Sequence, residues 1–121
     1  MARVNTKKLA ENLVIANRIL DREQLAVPLG HISQRVPGGD QILISRNIAP
    51  GQVTEKDLLC LDLNGKILRG EGKLYAEIPL HLSIYHMRED IGAVTHIHPY
   101  HVIALSMAGF LSNPCQTRSF S

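Results

Sequence analysis

The chain opens with a stretch in which Leu9, Leu13, Ala16 and Leu20 recur at helical spacing while Lys7, Lys8, Glu11, Asn12 and Arg18 fall on other faces. Apolar residues three to four positions apart form one stripe on an α-helix, so an amphipathic helix is predicted from Thr6, capped by Asn5 or Thr6. Pro28 and Gly30 break the chain, and the period then changes to two. Gly30-His31-Ile32-Ser33-Gln34-Arg35 alternates as a strand and stops at Pro37-Gly38-Gly39-Asp40. Gln41 to Ser45 returns as a second strand, so 31–45 reads as a hairpin. Pro50-Gly51 marks a loop, and Thr54 with Asp57 three residues on resembles the capping signature of a single helical turn. Leu58 to Leu63 is a third strand, turned by Asn64-Gly65, a strong hairpin dipeptide, into a return through Lys66 to Arg69.

Farther on, Pro79 suits the first turn of a helix with Leu80, Ile84 and Met87 as its apolar stripe, ended by Arg88-Glu89-Asp90. Ala93 to Ile97 is a fifth strand. Helical spacing resumes from Pro99 to Leu111, with Val102, Leu105, Met107 and Ala108 apolar and Gly109 as the stop. The expected architecture is α+β: a layered α/β/α domain around a mainly antiparallel sheet, one domain over 1–121 with an irregular tail at 110–121. Because nothing follows the last helix, one side of the sheet is expected to lack a cover or a partner strand, which points to a missing segment or an oligomer.

Composition narrows the partners. In 121 residues, 45% are hydrophobic and 20% charged, with 13 Lys and Arg against 11 Asp and Glu. The signs are interleaved, and three Tyr, two Phe and no Trp offer little for nucleic-acid stacking. A small-molecule partner is expected, not nucleic acid. The apolar stretch Leu13 to Ala16 is too short for a signal peptide, and no run approaches the roughly 18 apolar residues of a membrane span; the expected address is the cytoplasm. Cys60 lies within Leu58-Leu59-Cys60-Leu61 and reads as a buried, unpaired thiol, with Cys115 in the aperiodic tail.

Candidate chemistry gathers late in the chain, where five of the six His fall between positions 81 and 101. His96 and His98, at i and i+2 of the fifth strand, share a face about 7 Å apart at the backbone and make a chelating pair for a tetrahedral cation. Glu77 opens the helix before that strand. If the helix packs beside the strand, its carboxylate reaches the same cation as a general acid or base. Amid Leu80, Leu82 and Ile84, His81 reads as a structural histidine and His86 as a surface one. A third metal ligand is needed, and His101 is the nearest candidate, although helix geometry would more simply turn it into the core or toward Glu77.

Several segments together resemble the class II aldolase and adducin family: Gly30-His31-Ile32-Ser33-Gln34-Arg35, Val53-Thr54-x-x-Asp57-Leu58, Asp62-Leu63-Asn64-Gly65, Glu77-x-x-x-His81-x-x-Ile84-Tyr85-x-x-Arg88-x-Asp90, and Ala93-Val94-Thr95-His96-Ile97-His98-Pro99. The resemblance runs from about residue 9 to 109 and implies a class II aldolase-like fold, C-terminally incomplete. It implies Glu77 as catalytic acid/base, His96 and His98 as two of three ligands of a divalent metal (zinc, with manganese as the alternative), and the Gly30 loop, with His31, as part of the substrate pocket. The third family histidine falls beyond Ser121, and full-length relatives form homo-oligomers.

The family's sugar-phosphate members hold phosphate with small hydroxyl and Gly residues where this chain has Arg46-Asn47 and Tyr75-Ala76. Arg46 and Asn47 are therefore expected to meet a substrate carboxylate instead. The implied activity is a metal-dependent carbon–carbon lyase of decarboxylase or aldolase type. Its rivals are a non-catalytic adducin-like interaction domain or inactive fragment, and a cupin-like barrel, which would need an acid after His98 that the sequence lacks.

Overall fold

The computed structural model describes residues 6–26 and 30–109. Its elements run α1 (Thr6–Arg22), β1 (His31–Val36), β2 (Gln41–Ser45), two single 3₁₀ turns (Pro50–Gln52 and Glu55–Asp57), β3 (Leu58–Asp62), β4 (Ile67–Arg69), α2 (Ile78–Met87), β5 (Ala93–His96) and α3 (Tyr100–Met107). The strands form one five-stranded sheet in the order β4-β3-β2-β1-β5, antiparallel throughout. Among the described residues, no helix is long and apolar enough to cross a membrane.

Alternation along the strands divides the core into two layers, the consequence of side chains pointing to opposite faces in turn. On one face, Val36, Leu43 and Cys60 pack with Leu13 of α1. On the other, Ile42, Ile44, Leu59, Leu61 and Val94 pack with Tyr75, Ile78 and Tyr85. The α/β/α layering follows, with α1 and α2 on opposite sides. Cys60 is buried and free, while Cys115 lies outside the described residues, as do Asn5, Pro28, Leu111 and the tail.

Local signals act where they were read. The Asp57 carboxylate accepts from both the backbone N–H and the hydroxyl of Thr54, at 2.9 Å each. Gly65 takes a positive φ of 89° between β3 and β4, and the Asp62 carboxylate accepts the N–H groups of Asn64 and Lys66.

Three elements differ from expectation. The buried residues of α2 are Ile78, His81 and Tyr85, whereas Leu80 and Met87, two of the three residues of the expected stripe, are exposed. β5 stops at His96, so His98 lies past the strand. There its N–H donates to Leu25 O at 2.6 Å rather than to β1, and Pro99, which has no N–H, caps α3. No residue of α3 is buried, and Tyr100, Val102, Leu105 and Met107 are exposed. β5 forms one edge of the sheet, beside His96.

Candidate metal and acid/base centre

The β1–β5 register places His31 directly opposite His96. Both point to the α2 side of the sheet, and their rings meet edge to face at 4.9 Å. Glu77, the residue before α2, brings its carboxylate between them. Oε2 abuts Nδ1 of His96 and lies 3.7 Å from Nε2 of His31. Ligand atoms of His31, Glu77 and His96 all lie within 4.8 Å of one another, the one group of its kind among the described residues. The His98 ring stacks at 4.8 Å and 35° on that of His96. Strand alternation thus brings the two rings together even though the strand ends between them.

Gly30 makes this junction. A Cβ there would stand 2.2 Å from Ala26 Cβ and 3.0 Å from His96 O, and the Gly30 N–H donates to Ala26 O at 2.8 Å. The missing side chain lets the segment after α1 lie against the end of β5.

His31 is 1% exposed and Glu77 46%, so the centre has a buried wall and an open side. The wall is polar. Tyr75 lies 4.5 Å from His31, ring to ring. Its hydroxyl donates to Ile48 O and shares a hydrogen bond with Ser45 Oγ, both at 2.9 Å. Burial pushes the Tyr75 phenol above its ordinary pKa, keeping it protonated. His81, fully buried, meets His31 and Ser33; burial first, then His31 and His96, lower its pKa to about 4. Burial, followed by the adjacent His96, also lowers that of His31. Both rings are therefore neutral near pH 7, the state in which imidazole binds a metal.

The donor set fits a divalent cation. Of the four buried side-chain N or O atoms without a hydrogen-bond partner among the described residues, three are ring nitrogens at this centre: His31 Nε2, His96 Nδ1 and His98 Nε2. His96 Nδ1 has the Glu77 carboxylate against it, and burying the other two unpaired costs about 1–3 kcal/mol each. Imidazole nitrogen with carboxylate oxygen is a set that suits zinc.

The other expected site residues are not members of this ligand group. Arg46 Nε donates to Asp57 at 2.8 Å, an internal ion pair where a substrate carboxylate was expected. That contact, followed by the Thr54 hydrogen bonds, holds the Asp57 carboxyl below its ordinary pKa. The Asn47 side chain is exposed and its N–H donates to Lys73 O. His101 is exposed on α3, turned neither into the core nor into the group at Glu77. His86 is exposed and contacts Leu63 O. Sequence reasoning left Ser33, Tyr75 and Tyr85 without a part in this region. The spacings that could have found the last are His31 and Ser33 at i, i+2 on a strand, and His81 and Tyr85 at i, i+4 on a helix.

The family model of the class II aldolase and adducin N-terminal domain matches residues 11–119. The chain is 33% identical over 99 residues to an L-fuculose phosphate aldolase of Methanococcus maripaludis, covering 81% of this chain and 53% of the relative. It is 36% identical over 116 residues to a 3,4-dihydroxyphthalate decarboxylase of Arthrobacter keyseri, covering 86% and 46%. An aldolase II superfamily protein from Pseudomonas syringae superposes with a TM-score of 0.75 at 28% identity, covering 82% of this chain and 42% of that one. The chain spans about half the length of the curated relatives it matches.

Proposed function

The chain belongs to the class II aldolase and adducin N-terminal domain family, and from this premise we propose that it carries the cation-binding and acid/base centre of a carbon–carbon lyase of decarboxylase or aldolase type. The substrate is a small carboxylated or hydroxy-carbonyl compound. The observation that carries this reading is the Glu77 carboxylate seated between His96 Nδ1 and His31 Nε2, with the His98 ring against that of His96.

His96, His98 and Glu77 would hold the cation, with zinc favoured over manganese by the nitrogen-rich donor set. When bound, such a cation polarises a substrate carbonyl and lowers the energy of an enolate, as a Lewis acid does. Glu77, half exposed at the mouth, moves the proton: one carboxylate oxygen takes it from, or returns it to, the substrate carbon next to the carbonyl. Tyr75, His31 and His81 form the wall that shields the inner side from water. Arg46, 43% exposed, gives its Nε to Asp57 and keeps its remaining guanidinium N–H groups for a substrate carboxylate; the open side at Glu77 is where the substrate enters.

Decarboxylation and retro-aldol cleavage share the enolate, so proton exchange at a carbon next to a carbonyl tests both. The zinc-loaded protein is incubated with pyruvate in D2O and methyl deuteration is followed by proton NMR. Exchange that requires the cation and stops on chelation is the expected result. Exchange no faster than in buffer with free zinc, for pyruvate and for dihydroxyacetone alike, rejects the reading.

A further inference from the structure

The His31 ring has a contact to the α2 region at each of its nitrogens. Glu77, just before the first turn of α2, places a carboxylate oxygen 3.7 Å from Nε2, and His81, four residues on, places its own Nε2 2.7 Å from Nδ1. Beyond His81 the contacts continue between β1 and α2. His81 Nδ1 lies 2.6 Å from Ser33 Oγ, and Ser33 Oγ lies 2.8 Å from the Tyr85 hydroxyl, whose oxygen also takes the backbone N–H of Val94 on β5. None of His31, His81, Ser33 and Tyr85 is more than 1% exposed. Burying four polar side chains costs free energy unless each is paired.

The direction of these bonds is set at the Tyr85 end. Val94 supplies a donor there, so among the described residues the acceptor for the buried Tyr85 hydroxyl hydrogen is Ser33 Oγ. Ser33 then gives its own hydrogen to His81 Nδ1, which leaves the N–H of that ring on Nε2, donating to His31 Nδ1. An imidazole that accepts at one nitrogen carries its one proton on the other, so the proton of His31 is on Nε2. Each contact has one donor and one acceptor, and both rings are neutral by this count alone. The opposite direction would set the Ser33 hydroxyl and the Val94 N–H on one Tyr85 oxygen and strand the buried phenol hydrogen, at the full cost of its desolvation.

We propose that His31 is a fixed hydrogen-bond donor to the Glu77 carboxylate and not a ligand of the cation, and that Tyr85, Ser33 and His81 are positioning residues that hold its proton on Nε2. Distances alone group His31 with Glu77 and His96, but a protonated nitrogen has no lone pair for a metal. This rests on the reading of Glu77 and His96 as a cation-binding acid/base centre and deepens it. The Glu77 carboxylate makes no capping bond to α2, so its orientation depends on the wall it faces. A movement of about 0.8 Å by this half-exposed side chain shortens the 3.7 Å separation to an N–H···O hydrogen bond. One oxygen is then held at the wall, and the other is left at the mouth for the substrate proton. Partners that hydrogen-bond a ligating carboxylate change metal affinity by roughly 10–100-fold when removed. Arg35 steadies the far end: its guanidinium sits 4.8 Å over the Tyr85 ring and donates to Tyr85 O and Ile91 O, at 2.9 Å each.

The test uses the full chain labelled with ¹⁵N in its histidine rings. In the metal-free protein the proton between the two rings is expected on His81 Nε2, coupled across the hydrogen bond to His31 Nδ1, with His31 itself protonated on Nε2. A proton on His31 Nδ1 overturns the inference. Glu77→Ala is expected to move the His31 Nε2 proton upfield, as loss of a carboxylate acceptor does; an unmoved resonance in the folded variant overturns the contact with Glu77. With ¹¹³Cd²⁺ as the probe, scalar coupling is expected at His96 and not at His31, and coupling at His31 Nε2 overturns its exclusion from the ligand set. No cadmium coupling at His96 rejects the cation centre, and the metal-free spectra then decide the role of His31 by themselves. Tyr85→Phe, which removes only the terminal hydroxyl, is expected to mix the two His31 tautomers and weaken cadmium binding roughly tenfold, with Ser33→Ala as the second variant should that protein not fold. Unchanged tautomer and affinity in the folded variant overturn the positioning role.

Discussion

His31 and His96 stand directly opposite each other across the β1–β5 pairing, their ring planes at 85°. Because side chains alternate along a strand, a slip of one residue would carry either ring to the other face of the sheet; the register of two strands therefore assembles the centre. What lies at the start of β1 has consequences for it.

Gly30→Ala is expected to destabilise the fold by about 1–3 kcal/mol, the usual cost of overpacking. The new Cβ would stand 2.2 Å from Ala26 Cβ and 2.5 Å from Ala26 Cα, with His96 O at 3.0 Å. Gly39, whose added Cβ would meet nothing within 4 Å, is the control. Urea midpoints of the two variants should separate clearly, and equal midpoints would show that the junction yields at no cost.

Glu77→Gln keeps the shape of the side chain and removes its charge and its capacity to take a proton. Deuterium exchange into pyruvate is expected to fall by roughly 10²–10⁴-fold with the fold intact by circular dichroism. Retention of more than a tenth of the exchange rate would move the acid/base role to another group.

Acid should weaken the metal-free protein before most carboxylates titrate. The pKa of His81 falls from 6.5 to about 4 on folding, because burial disfavours its charged form. Between those values the unfolded chain binds a proton that the folded chain refuses. The contribution is thus complete above about pH 6.5 and is lost as pH falls toward 4, to a total of about 3 kcal/mol. His31, shifted in the same direction, adds to the loss. Denaturant midpoints measured in chelator at pH 7.5, 6 and 4.5 should decline in that order, and the His81 ring resonances should stay untitrated down to about pH 5. A His81 that titrates near 6.5 contradicts this.

Tyr75→Phe removes a hydroxyl that bridges Ser45 Oγ and Ile48 O while keeping the ring against His31. A loss of about 1–3 kcal/mol in thermal or urea unfolding is expected, the cost of leaving buried partners unpaired, with cadmium coupling at His96 preserved. Loss of the coupling together with stability would make Tyr75 part of the centre and not merely its wall.

What the sequence determined by itself was mainly local. Period-two and period-3.6 patterns delimit α1 and β1 to β3, because backbone periodicity imposes them whatever the neighbours are. Asn64-Gly65 and Thr54 with Asp57 punctuate the chain through bonds among residues only a few positions apart. Glu77, His96 and His98 stood out by residue type and spacing. The tertiary structure decided which of two stripes α2 buries. Helical geometry admits both Leu80-Ile84-Met87 and Ile78-His81-Tyr85; hydrophobicity favours the first, yet β1 offers His31 and Ser33 as hydrogen-bond partners, and the second faces inward. His31 became the inner wall of the centre, and Arg46 found Asp57, by the same cause. A buried polar side chain is settled by partners some 50 residues away in the chain, and no local pattern encodes which partners those will be.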